Sequence, residues 1–230
     1  MTTPLLETIE LESAANPTAA VIWLHGLGAD GGDFVPIVKE LDLDGCAPIR
    51  FIFPTAPTMP VTINGGYVMR AWYDIVAPSL VVNEDETGLR ASQHAIEQLI
   101  AREIARGIPA ERIVLAGFSQ GCAMTLHTGL RYPHKLAGLL CLSGYLPLRS
   151  LIAAERNPAN QHTPILMAHG NADGVVAPIR AEQSRDVLTG LGYQIDWRTY
   201  PMPHSVCPEE VSDIGHWLQQ VLPSAPSAGN

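Results

Sequence analysis

Short apolar or β-branched runs alternate with longer amphipathic stretches along most of this 230-residue chain, and that alternation admits few folds. A strand followed by a helix and another strand lays the strands in parallel, with the helices covering both faces of the sheet. Strands are expected near residues 20–24, 49–53, 112–116, 136–142, 165–168 and 194–200, with an opening edge strand around 7–11. Helices are expected near 34–41, 84–106, 120–132, 178–191 and 208–221. The second is the clearest: Leu89, Ile96, Leu99, Ile100 and Ile104 recur at helical spacing while Arg90, Glu97, Arg102 and Glu103 take other faces. Gly107 and Pro109 then stop it. No repeat or linker divides the chain, so one α/β domain is expected over residues 1–222. The last eight residues, from Pro223 to Asn230, lack periodicity and read as a disordered tail.

Composition narrows the function classes. A net charge of −9, from 14 Lys plus Arg against 23 Asp plus Glu, argues against a nucleic-acid partner, whose phosphates are held by cationic side chains. Apolar runs such as residues 19–24 fall far short of the ~18 residues that span a bilayer, so no integral membrane segment is expected. Met1-Thr2-Thr3-Pro4 opens no basic-then-apolar signal, which fits a soluble cytoplasmic protein. Cys46, Cys122, Cys141 and Cys207 form no C-x-x-C pair, and the eight histidines show no H-E-x-x-H spacing. Neither a disulfide framework nor a metal site is expected, and the thiols read as reduced and mostly buried.

Chemistry enters at Gly117-Phe118-Ser119-Gln120-Gly121, which follows the apolar run before it and opens a helix-compatible segment. G-x-S-x-G in that setting is a nucleophile elbow: the glycines remove Cβ atoms that would clash where the chain reverses around Ser119. The motif alone is a weak signal, so partners must be found. A serine hydroxyl needs a base, and the base needs an acid that fixes its tautomer and steadies its charge. In an open parallel sheet, reactive groups collect beyond the carboxyl ends of strands. Asp173 follows the run ending at Ala168, and His204 follows the last expected strand, in the order Ser, Asp, His. Taken singly, Asp173-Gly174 also reads as a turn pair and His204 as a structural histidine. Together with the elbow they read as a triad. Rivals are weaker: His216 sits in a helix beside Trp217, His169 ends a strand, and Asp196 lies in mid-strand.

Acyl transfer also needs donors for the developing oxyanion. The backbone N–H of Gln120 is one candidate, and that of Leu27, within His25-Gly26-Leu27-Gly28, is the other. A tight strand-to-helix turn is the alternative reading of that loop. It carries no phosphate-cradle pattern. Residues 54–74, with Pro54, Pro57, Pro60, Gly65 and Gly66, look too broken for a regular element and read as a functional loop. Its apolar members Met59, Val61, Ile63, Val68 and Met69 would be wasteful on a bare surface, so Met59, Val61, Ile63 and Met69 are candidate substrate contacts. Val175 and Val176, beside Asp173, join that set.

Leu24-His25-Gly26-Leu27-Gly28-Ala29-Asp30, Phe53-Pro54-Thr55-Ala56-Pro57, Asn64-Gly65-Gly66, Met69-Arg70-Ala71-Trp72-Tyr73-Asp74, the elbow and His169-Gly170-Asn171-Ala172-Asp173 are more specific together than the elbow alone. Over roughly residues 20–221 the chain resembles the carboxylesterase and acyl-protein thioesterase (lysophospholipase-like) branch of the α/β hydrolases. The resemblance implies an α/β-hydrolase fold with a mostly parallel sheet, helices on both faces and no large separate cap domain. It implies a Ser119, His204, Asp173 triad, an oxyanion hole from Leu27 and Gln120, and hydrolysis of short to medium acyl esters or thioesters. A lysophospholipase or acyl-protein depalmitoylase is the alternative, and a silent binding module on the same scaffold a remote one. No cofactor is implied, and a homodimer is one assembly the resemblance allows. Trp72 would flank the acyl site or pack against the sheet. Cys122 departs from the branch, which usually has glycine after Ser-Gln-Gly; packing is the favoured reading over a reactive thiol.

Overall fold

The computed structural model describes residues 5–77 and 83–224. Among these residues nine strands form: β1 (Thr8–Glu12), β2 (Ala19–Leu24), β3 (Ile49–Pro54), β4 (Thr58–Val61), β5 (Tyr67–Arg70), β6 (Ile113–Phe118), β7 (Gly138–Leu142), β8 (Ile165–Gly170) and β9 (Ile195–Tyr200). Five α-helices accompany them: α1 (Glu86–Ala105), α2 (Gln120–Gly129), α3 (Ile152–Glu155), α4 (Pro178–Gly190) and α5 (Pro208–Val221). Seven strands make one sheet in the order β1-β3-β2-β6-β7-β8-β9, with β1 antiparallel on the edge and every other pairing parallel.

All six residues of β2 are buried, which explains its unbroken apolar sequence: a parallel strand covered on both faces has no polar side. Ile22 and Leu24 join Leu89, Ile96, Leu126 and Leu188 under α1, α2 and α4. Val21 and Trp23 point the other way, toward Phe51, Phe53, Trp217 and Leu218 under α5. Each large side chain so buried contributes about 1.5–3 kcal/mol. The order also fixes where a site can form. From β2 the chain passes to β3 on one side, whereas β6 to β9 progress on the other, so the sheet opens a crevice beyond the paired carboxyl ends at Leu24 and Gly117.

Three expectations need correction. Residues 54–74 are not irregular: β4 and β5 pair as a hairpin, joined by the 3₁₀ turn Thr62–Asn64 and by Gly65 and Gly66 at φ 67° and 79°. The two glycines supply the left-handed turn, and Pro60 is tolerated because a two-stranded ribbon has free edges. The helix expected at 34–41 is the 3₁₀ helix Val35–Lys39. Pro223 and Ser224, expected to open a disordered tail, are instead held: Cys46 bridges to Pro223 and Ser224 N–H donates to Gly45 O at 2.9 Å. Residues 225–230 lie outside the described residues. Among the described residues, no helix is long and apolar enough to cross a membrane.

Glu210, in the first turn of α5, is fully buried, and no side chain among the described residues pairs with its carboxyl group. Burial pushes its pKa from 4.5 to about 8, with the Cys207 backbone amide pulling the other way. Between those values the folded protein holds a proton that the unfolded chain has lost, so this group makes stability fall as pH rises from 4.5 to 8. Glu210→Gln should remove that slope. Urea midpoints of the variant and the parent should therefore diverge between about pH 5 and pH 8.5, the variant becoming relatively more stable at the higher value; parallel curves would show that Glu210 ionises normally.

Candidate active site

β6 ends at Phe118 and α2 begins at Gln120, leaving Ser119 alone at the reversal with φ 56° and ψ −116°. A left-handed φ is costly for any residue with a Cβ, and the surroundings leave no alternative. A Cβ on Gly117 would strike the carbonyl of Gly121, and one on Gly121 would strike the carbonyl of Leu24. Ser119 N–H donates to Leu142 O at 2.9 Å, tying the turn to the end of β7.

Three loops at strand ends converge on that serine. His204, four residues past β9, lies with Nε2 3.0 Å from Ser119 Oγ, and its Nδ1 lies 2.6 Å from Asp173 Oδ2. The Asp173 side chain is fully buried; its Oδ1 accepts from the Val175 and Val176 amides at 2.8 Å each. A carboxylate anchored in this way accepts from Nδ1–H, so the lone pair of Nε2 faces the serine hydroxyl. The Phe118 ring packs on His204 with centroids 4.7 Å apart and limits its rotation. His169 does touch the site: its Nε2 lies 2.8 Å from Val176 O and 3.3 Å from Asp173 Oδ2. Burial lowers its pKa, with the Val176 bond opposing, so it steadies the Asp173 loop as a neutral ring. The rivals stand apart: His216 is exposed, and Asp196 is paired with Arg198 at 2.8 Å.

A cavity of about 450 Å³ opens over Ser119 and His204, lined also by Leu27 and Gln120. Neither the Leu27 nor the Gln120 backbone N–H has an acceptor among the described residues, which leaves two donors beside the serine hydroxyl. His25 shapes the Leu27 loop. Its Nδ1 donates to Gly26 O at 2.7 Å and its Nε2 accepts from Ala56 N–H at 3.0 Å, while burial keeps the ring neutral by lowering its pKa. Trp72 Nε1 donates to His25 O at 2.9 Å, and Gly28 N–H to Arg70 O at 2.8 Å.

Of the candidate substrate contacts, Ile63, Val175 and Val176 line the cavity. Met59, Val61, Met69 and Trp72 do not. Val61 and Trp72 are buried in packing, and Met69 sits against Asn64 and Gly28. Met59, Val61 and Met69 share one face of the hairpin, as the period-two alternation and the Met59–Met69 pairing require. Ile75, Tyr73, Tyr145 and Phe118 line the cavity and escaped sequence reasoning; Tyr73 adjoins the Trp72 motif, whereas nothing local marks Tyr145. Cys122 is buried in the core, against Gly144, in keeping with the packing reading.

Residues 7–222 match the family model described as Phospholipase/Carboxylesterase. The chain belongs to this family. Among its relatives, acyl-protein thioesterase 1 of Neurospora crassa is 45% identical over 92% of this chain and 90% of that protein. Acyl-protein thioesterase 1 of Yarrowia lipolytica is 40% identical over 94% of this chain and 98% of that protein. Among solved structures, Arabidopsis thaliana SOBER1 superposes with a TM-score of 0.83 at 33% identity, over 89% of this chain and 99% of its own. Zea mays acyl-protein thioesterase 2 gives 0.83 at 28%, over 94% and 99%. The Phospholipase/Carboxylesterase chain is thus an α/β hydrolase, with β1 to β3 and β6 to β9 as its central sheet.

The elbow has little room. Gly121→Ala should cost about 1–3 kcal/mol or more, because the added methyl meets the backbone of β2 rather than a movable side chain. Chemical denaturation measures it; an unchanged midpoint would mean that the elbow relaxes freely.

Proposed function

We propose that this chain is a carboxylesterase that cleaves short to medium acyl esters through an acyl-enzyme on Ser119, with thioesters as its second substrate class. The observation that carries the reading is the continuous hydrogen-bonded path from Ser119 Oγ through His204 to Asp173, opening on a largely apolar cavity. In the first half-reaction His204 Nε2 takes the hydroxyl proton as Ser119 Oγ bonds to the acyl carbon. The carbonyl oxygen gains the negative charge and receives the Leu27 and Gln120 amides, each such donor being worth about 2.7–4 kcal/mol. Collapse expels the alcohol or thiol, which takes its proton from His204. Water then repeats the sequence on the acyl-enzyme, releasing the carboxylic acid and restoring Ser119. The cycle closes with water alone, so it calls for no cofactor.

Thioesters are included for a specific reason. The relatives at 45% and 40% identity bear the name acyl-protein thioesterase, and thiol leaving groups need less help from the acid than alkoxides do. p-Nitrophenyl butyrate tests the scheme. Ser119→Ala should reduce hydrolysis to background, and Asp173→Asn should lower kcat by about four orders of magnitude with the fold intact. Wild-type turnover by Ser119→Ala would remove Ser119 from the chemistry.

A further inference from the structure

Tyr73 and Tyr145 both line the cavity over Ser119, and both are buried, at 3% and 5% exposure. Their hydroxyl oxygens lie 2.7 Å apart, so they share one hydrogen bond. Two phenols carry two protons, and one bond uses one of them. Whichever tyrosine donates, the second O–H has no acceptor among the described residues. Glu84, a carboxyl close enough to influence both rings, spends its Oε1 on the Leu148 amide and bonds neither hydroxyl. Burial pushes both phenols upward, so both remain protonated over any ordinary working pH.

The pair belongs to the acyl-binding wall. Gln120 bridges to it directly: its side-chain Oε1 accepts from Trp72 N–H at 2.9 Å and its Nε2 donates to Tyr73 O at 2.8 Å. Tyr73 is therefore fixed to the residue whose backbone amide faces the reacting carbonyl. Ile63, Ile75, Val175 and Val176 give the wall its apolar surface, with Asn64 and Asp33 as further polar lining. Cys122 shares the tyrosines' core cluster and lies close enough to act electrostatically on both phenols.

We propose that the Tyr73–Tyr145 pair is a hydrogen-bond donor site for the acyl group, selecting chains that carry a keto or ether oxygen over plain alkyl chains of equal length. An alkyl chain lying against the pair strips solvent from a buried O–H and returns nothing. An oxygen at the matching position replaces the lost bond. Sites built to bond a substrate oxygen discriminate against analogues lacking it because the buried polar group is left unpaired. This inference rests on the Ser119 acyl-enzyme reading and names the acyl class that the same cavity takes.

The test compares p-nitrophenyl pentanoate, hexanoate and octanoate with analogues in which one methylene is replaced by an ether oxygen or a carbonyl, stepped along the chain. Each kcat/KM ratio is divided by the ratio of uncatalysed hydroxide rates, which removes the inductive effect of the oxygen. Wild-type enzyme should favour the oxygenated chain by about tenfold at one position and not at its neighbours. Tyr73→Phe and Tyr145→Phe should each reduce that advantage, and the double substitution should bring it to about unity. No preferred position in the wild type overturns the proposal, as does an advantage that survives in the folded double variant. The wild-type scan decides alone if the variants do not fold. Wild-type rates from Ser119→Ala on these esters would instead overturn the acyl-enzyme reading beneath it.

Discussion

The left-handed backbone of Ser119 is the constraint on which the carboxyl edge of the sheet depends. A residue with a Cβ held there costs on the order of 1–3 kcal/mol, so the surroundings must over-determine it. They do so by contact. Gly117 presses on the start of α2 and Gly121 on the end of β2, distances that only hydrogen at Cα permits. Because β2 and β6 are neighbours in register, with Leu24 opposite Gly117, the same packing that builds the sheet thrusts Ser119 Oγ into the crevice at the switch in strand order.

A second tier of polar contacts makes that crevice rigid. His25, Trp72 and Gln120 form a closed set: Trp72 holds the His25 carbonyl, His25 holds Ala56, and Gln120 holds the backbone of both Trp72 and Tyr73. The hairpin of β4 and β5 is joined to the Leu27 loop through Arg70, whose carbonyl accepts from Gly28 N–H and whose guanidinium donates to Ala56 O at 3.2 Å. Donors aimed in advance at a developing charge need no reorganisation when it appears. The sequence motifs around these residues thus mark the buried frame of the site as much as its reacting atoms.

How much of this was legible depended on where each residue takes its position from. Ser119 and Asp173 follow strands of strongly apolar sequence and His204 follows the last strand of the alternation, so strand-end logic brought them together, as the glycines around Leu27 marked the oxyanion loop. The 54–74 segment failed because its strands are four residues each, carry a proline and are only partly buried, so local pattern had little to report. Met59, Val61 and Met69 followed from that error: with no strand assigned, no facing could be read. Trp72 was legible as important and ambiguous in role, since an indole that anchors a loop and one that touches substrate look alike in sequence. Tyr145 reaches the cavity by tertiary packing alone, 72 residues from the tyrosine it bonds.

The central claim is that the elbow makes Ser119 uniquely nucleophilic, and covalent labelling tests it without assuming a substrate. A fluorophosphonate, which traps activated serines, should add one phosphonyl group per folded chain, mapped by peptide mass spectrometry to Ser119, at a rate that collapses when His204 is replaced by alanine. An adduct on another residue, or a folded protein that takes none, would contradict the account.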